Sequence, residues 1–141
     1  MLDTIAQAAG QIAVAIASLS EAYELLDEQT AERMEQQLFR PVQAAYGRIK
    51  RTHSEFATRH GLPSADFAAA TAGAPSMGVR GFLDSAVDSI GLADQTLATL
   101  QDSMLPVEVG DPELRAGLEQ VRELLGHLRA RARELTRTLG R

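Results

Sequence analysis

Apolar residues recur at Leu2, Ile5, Ala9, Ile12, Ile16, Leu19, Tyr23 and Leu26, in alternating steps of three and four. This is the a/d repeat of a helix lying at a shallow angle along other helices. It predicts a first helix from Leu2 to about Glu28. Between Ile5 and Leu19 the polar residues are Gln7, Gln11 and Ser18, on one narrow strip. Ala8, Val14 and Ala15 therefore add apolar surface beyond the seam. A helix apolar nearly all round is buried nearly all round, so this surplus is expected to meet other helices or a second copy of the chain.

The polar stretch Asp27-Glu28-Gln29-Thr30 interrupts the phase and offers two N-caps, Asp27 and Thr30, so a turn is expected there. A second helix follows from about Ala31 to Arg59, with the seam Leu38, Val42, Ala45, Ile49, Thr52 and Phe56. Pro41 falls inside it. Proline lacks a donor and crowds the carbonyl four residues back, which predicts a kink near Gln37 to Pro41, or a helix that begins at Pro41. Gly61 and Pro63 end this helix.

Residues 61–77 form the long linker, with a short helix expected over Ser64 to Ala72 and a loop from Ala72 to Gly78. The third helix is expected from a Ser76 cap to about Met104, with Leu83, Ala86 or Val87, Ile90, Ala93, Leu97, Leu100 and Met104 inward. Asp111-Pro112-Glu113 combines a cap, an N1 proline and a first-turn acid, a strong start signal. The fourth helix then keeps Leu114, Leu118, Val121, Leu125, Leu128, Ala132, Leu135 and Leu139 in phase. The predicted fold is all-α, an up-down-up-down four-helix bundle with a long connection between helices 2 and 3. One domain is expected over residues 1–141.

Charge supports this pairing order. Residues 1–35 hold seven acids against one base, and residues 36–60 five bases against one acid. Residues 61–110 hold six acids against one base, and residues 111–141 seven bases against five acids. Neighbouring helices of opposite sign suit an alternating bundle. The net charge of −5 disfavours nucleic acid as a partner. With no cysteine, disulfides, thiolate metal sites and cysteine nucleophiles are excluded. The apolar run of the first helix, about fifteen residues, is shorter than the roughly 20 a membrane span needs. No basic residue precedes Arg33, so no secretory signal is read and a cytoplasmic location is expected. Abundant Arg, Ala and Gly suggest a bacterial source.

Candidate chemistry is sparse. Glu21, Glu24, Glu28, Glu32 and Glu35 have helical spacing, but no Glu-x-x-His motif accompanies them, so they read as a solvated face rather than a di-metal site. Phe39, Tyr46, His53 and His60 recur every seven residues beside the second helix's seam. Together with Phe67, Met77 and Arg80 they would line a small-ligand site under the 61–81 linker. Arg115, Arg122 and Arg129 form a stripe expected to pair with an acidic neighbouring helix. Arg48, Lys50 and Arg51 form a second basic group that a membrane surface would attract. No nucleophile, phosphate-loop, dinucleotide or zinc motif occurs, so no catalytic, metal or cofactor residue is assigned and an enzyme is disfavoured.

The favoured expectation is a non-catalytic interaction or scaffold protein. It would self-associate, or take a partner helix, through Ala8, Val14 and Ala15. The ligand-binding bundle and the peripheral membrane binder are the alternatives.

Overall fold

The computed structural model describes residues 1–73 and 78–139. All regular structure among them is helical. In chain order the helices are α1 (Leu2–Leu25), α2 (Glu28–Met34), a π-helical turn (Glu35–Phe39), α3 (Arg40–Arg59), α4 (Gly78–Asp102), α5 (Leu105–Glu108) and α6 (Pro112–Leu139).

The expected break after α1 is present. Leu26 is extended and ends the helix. Asp27 caps α2: the Thr30 amide donates to its Oδ1 at 2.8 Å and the Thr30 hydroxyl to its Oδ2 at 3.1 Å. Pro41 stands in the first turn of α3, directly after the irregular turn that the sequence expects near Gln37 to Pro41. The chain enters α3 through the π turn, in which the Arg40 amide donates to the Glu35 carbonyl five residues back. The Gln37 carbonyl, which Pro41 cannot serve, receives a long 3.5 Å bond from Nη1 of Arg131 on α6.

Four long elements carry the core: α1, α3, α4 and α6. Each packs along two others, α1 on α3 and α4, and α6 on α3 and α4. Every seam residue expected on the second helix is buried, as is every one from Leu114 to Leu135 on α6. Cross-contacts give the directions. Ser18 bonds Ser85 and Gln11 bonds Thr96, so α1 and α4 are antiparallel. Arg59 meets Asp111 while Arg48 meets Gln120, so α3 and α6 are antiparallel. Arg122 meets Asp94 and Arg129 lies over Gly91, so α4 and α6 are antiparallel. The N-terminal turn of α1 lies beside Phe56, and its C-terminal turns beside Phe39.

The order of directions is therefore up, down, down, up, which corrects the expected up-down-up-down. α3 and α4 run the same way, so the linker must travel the length of the molecule. Residues 62–73 contain no helix, contrary to the short helix expected over Ser64 to Ala72. The physical reason is reach: a nine-residue helix would shorten the greatest span of the connection to roughly 40 Å, barely the roughly 37 Å length of α4. The expected Ser76 cap lies outside the described residues.

The direction of α4 also settles where the surplus apolar surface of α1 goes. Ala8, Ala15 and Ala22, seven apart, are all 0% exposed. Gln11 and Ser18, from the narrow polar strip, face α4. The Thr96 hydroxyl donates to Gln11 Oε1 at 2.9 Å, and the Ser18 and Ser85 hydroxyls lie 3.2 Å apart. By length and apolar content α1 would suffice to cross a membrane, which corrects the expectation from the fifteen-residue apolar run: alanines and glycine extend the apolar window to a mean hydropathy of 1.3, and 44% of that window is buried in the fold.

Two glycines sit in helix interiors with open space where a Cβ would stand, Gly10 and Gly126. Gly→Ala at either position is expected to raise unfolding stability by about 0.5–1 kcal/mol, because alanine loses less backbone entropy in a helix. Urea midpoints of the two variants, measured singly, check this; a fall in either would refute it.

Candidate functional site

The residues expected to form one ligand site under the linker divide between two ends of the molecule. His53, His60 and Phe67 lie at the end that holds the N-terminus of α1. Phe39 lies at the opposite end, beside Tyr23. Arg80 is exposed in the first turn of α4, and Met77 lies outside the described residues. Tyr46 is half-buried between the two ends, with Lys50 Nζ 4.3 Å from its ring centroid. The separation follows from helix geometry. A heptad stripe from residue 39 to 60 covers about 30 Å of axis, too long for one small-molecule site. The interface residues fare similarly: Ala8 and Ala15 are wholly buried within the chain and Val14 is half-buried.

The densest polar cluster joins the C-terminal end of α3 to the N-terminus of α6. Asp111 is 7% exposed. It caps α6, accepting from the Leu114 amide at 3.0 Å. Arg59 donates to it through Nε at 3.0 Å and Nη2 at 2.9 Å. His60 Nε2 lies 3.0 Å from its Oδ2, and Arg59 Nη1 reaches Glu113 at 2.9 Å. Burial opposes ionisation of Asp111, but the Leu114 amide, His60 and Arg59 outweigh it and hold the carboxyl at about 2. Arg59 and His60 fasten α6 to α3, and none of the partners is a hydroxyl that the His60–Asp111 pair could activate.

His53 sits about two turns further in. It is 2% exposed, and the Phe67 ring of the linker meets it edge-on at 5.3 Å. Burial pushes its pKa below the ordinary value, with Asp3 pulling the other way. Its Nδ1 has no partner among the described residues. Phe56 stacks on His60 at 4.2 Å. These contacts pin the start of the linker against α3. Around them lies a shallow open hollow lined by Met1, Leu2, Asp3, Phe56, His60, Leu62 and Val109.

The Arg stripe of α6 meets α4: Arg122 donates to Asp94 at 2.9 Å and to Gln101 at 2.8 Å. Of the second basic group, Arg48 is bonded to Gln120 at 2.7 Å. Among the described residues, no three His, Asp or Glu side chains converge as metal ligands would.

Two features escaped the sequence reading. One is an apolar surface around α5. Leu62, Met104, Leu105, Val107 and Val109 are between 41% and 52% exposed. Met104 also holds a left-handed φ of 66°, uncommon outside glycine. The other is a hollow between Tyr23 and Phe39. Tyr23 is in phase with the inward seam of α1, but it is 41% exposed. The run Leu105-Pro106-Val107-Glu108-Val109 was a legible signal, since a turn built of apolar residues is unusual for a loop.

Set against known protein families, characterised proteins and solved structures, the chain matches none of them.

Proposed function

We propose that the chain is a four-helix bundle serving as a non-catalytic interaction module. Its docking surface is the end formed by α5, and its partner there is an apolar, basic segment of another protein. The observation that carries this is the exposure of Leu62, Met104, Leu105, Val107 and Val109 together at one end. Val109 shares its hollow with Met1, Leu2 and Leu62, which makes the patch continuous with the start of α1. Apolar surface gathered in this way marks interaction sites, unlike single exposed residues. The left-handed Met104 supports the reading, because backbone strain collects where function needs a side chain held outward.

Asp3, Asp102 and Glu108 are exposed around this surface and have no ion-pair partner among the described residues. They favour basic flanks on the partner. A second copy fits less well, because these acids would face their equivalents, and an anionic membrane would be repelled for the same reason. Self-association through α1 has little support, since Ala8 and Ala15 are already covered by α4.

The test is a backbone-amide NMR titration with a synthetic amphipathic helix of Leu and Lys. Shift changes confined to residues 1–3, 60–62 and 102–110, and abolished by L105E/V107E, are expected. Light scattering is expected to give a monomer. A dimer dissolved by the same double variant would replace the partner with a second copy, and shifts scattered over α6 or absent altogether would refute the surface.

A further inference from the structure

At the opposite end from α5, the last turns of α1 face the π turn across a hollow of about 300 Å³ lined by Ser20, Tyr23, Glu24, Glu35 and Phe39. We propose that this hollow is a binding site for a small organic cation carrying an alkylated ammonium group.

The walls supply the chemistry. Two aromatic rings come from different elements, Tyr23 from α1 and Phe39 from the π turn. Both rings line the space, and the faces of aromatic rings carry negative potential. The two carboxylates, Glu24 and Glu35, complete the lining, and Glu35 is half-buried. Aromatic faces beside carboxylates are the arrangement that recognises alkylated ammonium groups. The chain uses the same attraction internally, where Lys50 Nζ sits over Tyr46.

Among the described residues, Glu21, Glu24, Glu28, Glu32 and Glu35 make no ion pair. α1 has no basic residue in its last turn, although the carbonyl end of a helix favours positive charge. The two carboxylates of the lining thus make no ion pair among the described residues, and the Arg131 guanidinium that reaches the π turn is bonded to the Gln37 carbonyl instead. The backbone is also unusual here, because single π turns inside α-helices recur at functional sites.

A bare metal ion suits the lining poorly. Calcium takes six to eight oxygen ligands. Here two carboxylates are present, and the Ser20 hydroxyl is engaged, donating to the Ile16 carbonyl at 2.9 Å. The volume fits a small molecule rather than a macromolecular segment. This site is separate from the α5 surface and stands or falls without it.

The experiment is an NMR titration of the Tyr23 and Phe39 ring resonances with tetramethylammonium chloride, with sodium chloride and magnesium chloride matched in ionic strength. Saturable shifts with tetramethylammonium alone are expected. Tyr23→Leu and Glu35→Gln are each expected to weaken binding about five-fold or more, with the urea midpoint of Glu35→Gln unchanged. The proposal is overturned if sodium or magnesium reproduces the shifts, if the shifts do not saturate, or if Glu35→Gln binds as tightly as the native chain.

Discussion

Gly117→Ala is expected to destabilise the protein by about 2–3 kcal/mol, the opposite of what helix propensity alone gives. Gly117 lies on the buried side of α6 against α3. A Cβ there would overlap the Thr52 Oγ1, and would stand 2.8 Å from its Cγ2 and 3.1 Å from its Cβ. Thr52 has no room to yield: it is 2% exposed, and its hydroxyl donates to the Arg48 carbonyl at 2.8 Å. A β-branched side chain also has few rotamers in a helix. The methyl group would therefore push α6 away from α3 and loosen the buried residues on both sides. Adding Thr52→Ala to Gly117→Ala removes the two nearest atoms and is expected to recover most of the loss. Urea unfolding of the two single variants and the double variant measures the coupling. Additive effects would show that the two residues do not oppose each other.

Asp111→Ala is expected to cost about 2–4 kcal/mol near neutral pH. Removing a helix cap alone costs about 0.5–2 kcal/mol. The same change strips Arg59 and His60 of their shared, nearly buried partner, leaving Arg59 only the exposed Glu113. Asp111→Asn separates the two contributions, because asparagine caps as well as aspartate but carries no charge. The sign of the pH dependence follows from the lowered carboxyl. Asp111 ionises at about 2 in the fold against 3.8 for a free aspartate, so the unfolded chain takes up its proton first as pH falls. The ionic contribution, up to about 2 kcal/mol, is present above pH 3.8 and is lost as pH falls through about 2. The stability difference between the native protein and Asp111→Asn should be steady from pH 7 to 5 and largely gone by pH 2. A difference independent of pH over that range would mean that the charge contributes nothing.

The structure gives these two residues different standing from their neighbours for reasons that reach across elements. Asp111 was recognisable as a cap from Pro112 and Glu113 alone. Its partners Arg59 and His60, some fifty residues away, were not. Gly117 sits between Leu114 and Leu118, and nothing nearby in sequence distinguishes it from Gly126, which faces open space. Only the approach of Thr52 does. The candidate sites divide in the same way. The heptad stripe of Phe39, Tyr46, His53 and His60 was legible as a pattern, but one helix spreads it along its whole length. Tyr23 and Phe39 line one hollow because α1 and α3 run antiparallel, and the α5 surface exists because four helix ends converge around it.

Periodicity by itself determined the helices and nearly all of their buried faces. Leu, Ile, Val and Ala at steps of three and four can be removed from water only by a helix packed on other helices. The sequence also marked the starts at Asp27 and Asp111, since capping is a local hydrogen bond. The order of directions was decided in three dimensions, because a linker this long reaches either end of the molecule and its own residues do not choose. That choice laid α4 antiparallel along α1, set Ala8, Ala15 and Ala22 against it, and turned a face that looked available for a partner into part of the core.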